Sequence, residues 1–244
     1  MNKTYLWLSA LLLGLVQLSA QASGLYVGLS AGGEYSGLKK NGQAFMYDNS
    51  AVKPVPQSVK SVSGTDSAGG ASAEFNVGYR AVLSERFLFG VEADAMTGSA
   101  QSQEQYTDKS SSDTAHTANQ NLRFTVGASV LPAVRLGTYA DIFLRAGAGV
   151  GQYKLTASGP MYYLANSRDE VKDAFYAVVG LGVDGHLAKH WAMRLEGDYM
   201  AFSSFNVEED KIDDSTPNQK RVYHYKASYT PSVARVSLGV TYDF

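Results

Sequence analysis

Eight segments of the sequence alternate apolar residues with small or polar ones, and this pattern constrains the fold more than any other feature. A period of two is typical of β-strands with one apolar and one polar face. Each segment is close to the roughly 9–11 residues of a tilted membrane-spanning strand. The segments are residues 24–36, 71–83, 87–97, 121–131, 140–151, 175–185, 191–201 and 232–244. Eight such strands predict an all-β, closed antiparallel barrel.

Alternation alone also fits a soluble eight-stranded barrel, in which the apolar face points inward. Three features favour a membrane barrel instead. Every lysine lies outside the eight segments, whereas a soluble barrel covers its outer face with lysine and glutamate. Short turns alternate with long connections at residues 37–70, 98–120, 152–174 and 202–231, as in outer-membrane barrels. Aromatic residues lie near both ends of the segments, as two membrane interfaces require.

The first 22 residues are predicted to be a cleaved secretory signal peptide. They contain a positive charge at Lys3, an apolar run over residues 5–16 and small residues up to Ala22. The run is shorter than the roughly 20 residues of a membrane-spanning helix. We therefore expect one mature domain, residues 23–244, outside the cytoplasm. Without cysteine, neither a disulfide nor a thiolate metal site can stabilise it.

The polar parity of the strands is expected to face the interior and to carry an ion-pair network. Eight strands enclose a space that side chains can fill, which argues against a pore. All inward cations are arginines, whose planar fork can hold two carboxylates. Strand levels predict the pairs Asp94–Arg123 and Asp198–Arg235. The predicted network is Glu74, Arg80, Glu92, Asp94, Arg123, Arg145, Asp184, Arg194, Glu196, Asp198 and Arg235; Glu34 shares the inward parity.

Gly180, Gly182 and Gly185 form a G-x-G-x-x-G string, the spacing of a dinucleotide-binding loop. Such a loop lies between a strand and a helix, but the segments on both sides of this string alternate as strands. We therefore interpret Gly180 and Gly182 as lumen-facing positions that leave room for arginines opposite, and we expect Asp184 to point inward. No cofactor is predicted.

Histidines and acidic residues form no convincing catalytic or metal site. His224 and Ser228 lie too far apart along one strand to act as base and nucleophile. His186 and His190 lack a third metal ligand. The acidic run over residues 208–214 lacks the spacing of a calcium loop. No metal is expected.

Glu196 and Asp198 have an alternative interpretation as an acid–base couple, since neighbouring carboxylates can have separated pKa values. No cleft or third catalytic group accompanies them, so we favour a structural role in the network. The chain is predicted not to be an enzyme. The net charge of −2 provides no basic field, so nucleic acid is not an expected partner.

The stretches LYVGLSAGGEY near the start, RLEGDYMAF over residues 194–202 and the closing VSLGVTYDF resemble the small outer-membrane β-barrel proteins, which include the OmpA transmembrane domain, OmpX and the opacity proteins. The resemblance covers essentially the whole mature chain. It implies an eight-stranded up-and-down barrel in the bacterial outer membrane, with four long extracellular loops and short periplasmic turns. It also implies that Tyr242 and Phe244 form the signal read by the barrel-assembly machinery. OmpA continues into a peptidoglycan-binding domain after its barrel, so we do not expect cell-wall anchoring for this sequence.

This resemblance also implies a non-enzymatic surface protein with a structural role, or with an adhesive or host-interacting role through its loops. Exposed aromatic side chains can act as contact anchors, although packing on each other or on lipid head groups is the simpler interpretation. The candidate contacts are Phe45, Met46, Tyr47, Met161, Tyr162 and Tyr163, with Tyr223, Tyr225 and Tyr229 in the last connection. A narrow channel and a lipid-modifying enzyme are the alternatives. Expected partners of the monomer are outer-membrane lipid, lipopolysaccharide, the assembly machinery and a host surface or matrix protein.

Overall fold

The computed structural model describes residues 24–48, 56–107, 115–158, 168–216 and 219–244. These residues form one sheet of ten antiparallel strands. The strands are β1 (Gly24–Asp48), β2 (Pro56–Val82), β3 (Phe87–Gly98), β4 (Gln101–Thr107), β5 (Ala115–Leu136), β6 (Ala140–Ser158), β7 (Arg168–Ala188), β8 (Trp191–Phe202), β9 (Phe205–Thr216) and β10 (Gln219–Asp243). The predicted signal peptide lies outside the described residues.

The sheet closes into a barrel because β1 pairs with both β2 and β10. The ring runs β1, β2, β3, β5, β6, β7, β8 and β10. After short breaks, β4 continues the course of β3 and β9 continues that of β8, so the ten strands occupy eight positions. This arrangement confirms the predicted eight-stranded antiparallel barrel. Within the described ranges, no helix is long and apolar enough to cross a membrane.

The apolar parity of the strands faces outward. Along β7, Phe175, Val179 and Leu181 are exposed. Val178 and Asp184, which have the opposite parity, are buried. In β8, burial alternates with exposure from the first residue to the last. The outside of the barrel is therefore an apolar belt and the inside is largely polar, which is the reverse of a water-soluble protein.

Much of what the sequence suggested to be long loops is strand. β1 and β2 pair from Gly24 with Arg80 as far as Tyr47 with Pro56, which covers most of residues 37–70. The 25 residues of β1 span roughly 80 Å of strand at about 3.3 Å per residue. A hydrocarbon core about 30 Å thick requires far less. The strands thus project beyond the apolar belt as hairpins, and we call this end the hairpin end and the opposite one the short-turn end.

Beyond the apolar belt, the hydrogen-bonded wall divides. β2 pairs with β3 only as far as Ser72 with Gly98, and β4 pairs with β5. β7 pairs with β8 only as far as Tyr176 with Phe202, and β9 pairs with β10. Among the described strands, β9, β10, β1 and β2 therefore form one leaf, and β4, β5, β6 and β7 form the other. We call the gap between β2 and β4 the first seam and the gap between β7 and β9 the second seam.

Candidate functional site

Arg145, on β6, is the centre of the polar interior. Its side chain is buried and binds carboxylates from three other strands. Nη2 lies 2.7 Å from Asp94, on β3. Nη1 lies 2.9 Å from Glu196, on β8, and 3.4 Å from Glu74, on β2. Nε donates a hydrogen bond to Ser129 Oγ at 3.1 Å, so all three guanidinium nitrogens have partners and one side chain ties four strands to β6.

A second group of ion pairs lies nearer the short-turn end, around Arg194 on β8. Its Nε donates to Asp184 Oδ1 at 2.8 Å, and its Nη1 donates to Glu92 Oε2 at 2.6 Å. Asp184 also accepts from Arg80 Nη2 at 2.5 Å. The hydroxyl of Tyr26 donates to Glu92 at 2.8 Å. Asp184 is fully buried and points inward, with an arginine bound to each of its oxygens.

Arg235, on β10, connects the network to the strand that closes the barrel. Its Nε donates to Asp198 Oδ2 at 3.0 Å, and its Nη1 also contacts Glu74. Arg235 and Asp198 are register partners on neighbouring strands, as the strand levels predicted. The network therefore runs around the barrel without leaving out the closing strand.

The predicted pair Asp94–Arg123 is wrong, because Arg123 lies outside the network. The register between β5 and β6 shifts between Leu122 and Phe124, so Arg123 is the extra residue of a β-bulge. Leu122 is buried inside as a result, whereas Arg123 is exposed and donates to Gln152 Oε1 at 3.2 Å. A bulge reverses which face of the sheet the residues before it point to. A prediction that assumes strict alternation along the strand cannot detect a bulge.

The interior includes polar groups that the sequence analysis did not select. Asp141 is buried, 3.4 Å from Arg135 Nε and 3.7 Å from Arg80 Nη1. It also lies 3.1 Å from His186 Nε2. Both Asp141 and Tyr26 have the inward parity of their strands, so the alternation in the sequence could have identified them as interior residues. His186 is therefore bound to a network carboxylate rather than placed as a metal ligand.

Apolar side chains cover the ionic network on both sides. Toward the short-turn end, Phe143 packs with Leu88 and Leu131. Toward the hairpin end lies a group of buried rings that we call the aromatic layer: Tyr153, Tyr176, Phe202, Phe205 and Tyr229. Tyr153 meets Phe202 edge to face at 5.1 Å between ring centroids, and Phe205 stacks on Tyr229 at 5.8 Å. The interior is thus filled in three levels.

The predicted loop contacts are only partly within the described structure. Tyr229 was expected in a loop, but it is buried in the aromatic layer. The backbone of β1 includes three of the other contacts, whose side chains lie outside the described residues: Phe45, Met46 and Tyr47. Three more lie wholly outside the described residues: Met161, Tyr162 and Tyr163.

The glycine string forms part of the barrel wall. Gly180 and Gly182 lie within β7, which continues to Ala188 and is followed by strand β8 rather than by a helix. A Cβ atom at Gly182 would lie 2.2 Å from the Phe143 ring, and one at Gly180 would lie 2.3 Å from Asp198 Oδ1. These glycines therefore make room for an aromatic ring and a carboxylate, not for arginines as predicted.

An aromatic cluster lies where the chain ends. Tyr242 meets Trp191 at 5.0 Å and Phe244 at 5.2 Å between centroids, both edge to face. His190 stacks on Tyr242 at 5.6 Å, and its Nδ1 lies 2.7 Å from the carbonyl oxygen of Asp243. In the described part of the chain, no three histidine, aspartate or glutamate side chains are arranged to hold a metal ion.

The sequence matches the family described as outer membrane protein beta-barrel domain over residues 8–244. No curated protein matches it significantly. Ail, the attachment invasion locus protein of Yersinia pestis, is 17% identical, with 87% of this chain and 99% of Ail covered and a TM-score of 0.35. Neisserial surface protein A is 15% identical, with 92% and 100% covered and a TM-score of 0.44. The outer membrane protease OmpT of Escherichia coli is 9% identical, with 93% and 100% covered and a TM-score of 0.49.

Proposed function

Because the chain belongs to the family of outer membrane protein β-barrel domains, we propose that it is a non-enzymatic surface protein that acts through its extracellular hairpins, in envelope support or in adhesion to a host or partner molecule. The barrel lies in the bacterial outer membrane. Barrels of this kind place their short turns in the periplasm and their longer connections outside the cell. The filled interior is the observation that carries the proposal.

The interior argues against transport through the barrel. Arg145, Arg194 and Arg235 are each at most 3% exposed, and they bind carboxylates across the lumen. A permeating ion would have to separate these pairs, which are costly to break in a buried setting. It would also have to displace the aromatic layer. An eight-stranded wall is too narrow to offer a second route.

The contacts of the polar groups also argue against catalysis. Nucleophilic catalysis requires a base within hydrogen-bond reach of its nucleophile. Among the described histidine side chains, His186 binds Asp141 and His190 binds the carbonyl of Asp243. Glu196, one of the two carboxylates considered as an acid–base couple, is bound by Arg145. These bonds suit a structural network better than a reaction centre.

The hairpins supply the surface through which such a protein meets its surroundings. β10 and β1 stay paired from Gly37 with Ser232 as far as Asp48 with Arg221. The 12 residues of β1 in that stretch cover roughly 40 Å of strand. Phe45, Met46 and Tyr47 belong to its last four residues, so the fold carries these candidate contacts far from the apolar belt.

The test is attachment of bacteria that carry a triple variant, Phe45→Ser with Tyr162→Ser and Tyr163→Ser, to immobilised serum and matrix proteins and to host cells. If these rings anchor a contact, attachment falls at least about tenfold, since a contact hot spot is typically worth about 2 kcal/mol. Tyr139→Ser is the matched control, because Tyr139 is an exposed aromatic residue of a short turn at the opposite end.

Surface labelling must show equal amounts of each variant at the cell surface. Unchanged attachment overturns the adhesive form of the proposal. The structural form then predicts that deleting the gene weakens resistance of the envelope to detergent, and full resistance in the deletion strain overturns that form as well.

A further inference from the structure

Glu34, on β1, differs from every other buried carboxylate of the described chain. It is 5% exposed, yet no cationic nitrogen of a described residue lies within ion-pair distance of it. The other buried carboxylates each have at least one such partner: Glu74, Glu92, Asp94, Asp141, Asp184, Glu196 and Asp198. A buried carboxylate without a cation is costly. Glu34 is thus the one place in the described network where a positive group is missing.

The two oxygens of Glu34 are in different situations. Oε1 accepts a hydrogen bond from the backbone N–H of Ala100 at 2.7 Å, at the break between β3 and β4. Oε2 is buried and has no hydrogen-bond partner among the described residues. A Cβ atom at Gly98 would lie 2.4 Å from each oxygen, so only glycine at that position leaves room for the carboxylate. The sequence therefore builds a notch for this group.

Tyr153, on β6, presents a second buried group without a partner. Its side chain is 0% exposed, and its hydroxyl has no hydrogen-bond partner in the described part of the barrel. Buried tyrosine hydroxyls are normally hydrogen-bonded. Tyr153 pairs with Leu122, beside the start of the β4–β5 ladder, and this is the level of the break where Glu34 binds Ala100. Both groups therefore lie at the same level of the barrel interior.

The surroundings of these two groups favour a cation with an apolar body. The Tyr153 ring packs against Phe202 and Phe205, with centroids 5.1 and 5.9 Å away. Counting Glu34, the described part of the interior holds eight buried carboxylates against five arginines and the buried Lys40, a formal excess of two negative charges. The five arginines are Arg80, Arg135, Arg145, Arg194 and Arg235. An excess of one sign in a low-dielectric interior attracts the opposite charge.

The first seam begins just beyond this notch, toward the hairpin end. The ladder between β2 and β3 ends at Ser72 with Gly98, beside the Glu34 carboxylate, and one more backbone hydrogen bond, from Ser99 N–H to Ala71 O at 2.9 Å, joins the two segments above it. Above that point β4 pairs with β5 and not with β2. The carboxylate therefore lies at the base of an interruption in the hydrogen-bonded wall, on the extracellular side of the apolar belt.

We propose that Glu34 and Tyr153 form a binding site for a compact organic cation, namely a protonated amine with an apolar or aromatic body. The ammonium group donates hydrogen bonds to Glu34 Oε2 and to the Tyr153 hydroxyl oxygen, and the body lies against the aromatic layer. A divalent metal suits the site less well, since calcium and magnesium require several oxygen ligands and, among the described side chains, Glu34 is the one carboxylate there. This site is independent of the hairpin contacts, so either proposal can fail without the other.

Calorimetric titration of the refolded barrel in detergent micelles tests the site, with benzylamine as the probe and benzyl alcohol as its neutral analogue of nearly equal shape. We expect benzylamine to bind at least about tenfold more tightly than benzyl alcohol. Glu34→Gln should remove that preference, and Tyr153→Phe should weaken amine binding while it keeps the ring. Glu85→Gln is the matched control, because Glu85 is an exposed carboxylate of a short turn.

Equal affinity for the two probes in the wild-type barrel overturns the proposal, whether or not any variant folds. Unchanged benzylamine binding by Glu34→Gln overturns it as well. Folding of each variant is checked by its mobility on gels with and without heating. Glutamine keeps the size of the side chain and an oxygen for the Ala100 N–H, so the variant retains the hydrogen bond at the strand break.

Discussion

Replacing Arg145 with methionine removes the centre of the ionic network and leaves a side chain of similar length. Among the described residues, Arg145 is the one cation within 4.0 Å of Asp94 and of Glu196. Glu74 would keep its contact with Arg235, and Glu92 would keep Arg194. The substitution therefore leaves two buried carboxylates without a cation and weakens the rest of the network less.

The magnitude follows from the cost of breaking a buried ion pair by removing one partner, about 3–5 kcal/mol. With two carboxylates stranded and the others still paired, we expect a loss of about 4 kcal/mol in the free energy of unfolding. A urea m-value of about 2 kcal/mol per molar turns this loss into a midpoint lowered by about 2 M.

The assay is equilibrium unfolding of the barrel in lipid vesicles by urea, followed by gel mobility without heating and by tryptophan fluorescence. Arg123→Met is the matched control, because Arg123 is an exposed arginine outside the network and should change stability by less than about 0.5 kcal/mol. Adding Asp94→Asn and Glu196→Gln to Arg145→Met should recover at least half of the loss. A midpoint for Arg145→Met equal to that of wild type, or an equal loss in both arginine variants, would refute the reasoning.

Two further predictions concern the wall and the end of the chain. Gly182→Ala should destabilise the barrel by about 1–3 kcal/mol through overpacking against Phe143. Gly33→Ala is the control and should leave stability unchanged, because a Cβ atom at Gly33 would have no described neighbour within 4 Å. The urea midpoints of both variants check this. Phe244→Ala should lower the fraction of newly made protein that reaches the folded barrel in cells. It should change urea stability little, because Phe244 is exposed. Pulse-labelling with gel mobility measures the folded fraction, and normal assembly would contradict the role of Phe244 as an assembly signal.

The strands and their faces could be predicted because a membrane imposes alternation without interruption. Side chains that face lipid are apolar, so the apolar positions in the sequence show which face of each strand points outward. Beyond the belt the outer face of a strand meets water instead of lipid, so that face no longer has to be apolar and the alternation in the sequence weakens. The hairpin strands were therefore interpreted as loops, although β1 continues to Asp48 and pairs along its whole length.

The interior was predictable in composition but not in its contacts. Parity placed Arg145, Arg194 and Arg235 inside, and register placed Asp198 beside Arg235. The bulge at Arg123 follows from how β5 and β6 meet, which the sequence of one strand does not record. That Glu34 has no cationic partner among the described residues depends on where arginines from other strands reach, and this too is visible only in three dimensions.

Single-channel recording on the purified wild-type barrel in a planar bilayer tests the central claim, that the interior is closed by its own side chains, most directly. The ion pairs around Arg145 and the aromatic layer predict no steady conductance at neutral pH, even in concentrated salt. A steady ohmic conductance that rises with salt concentration would contradict a filled interior, and with it the argument that function resides in the hairpins.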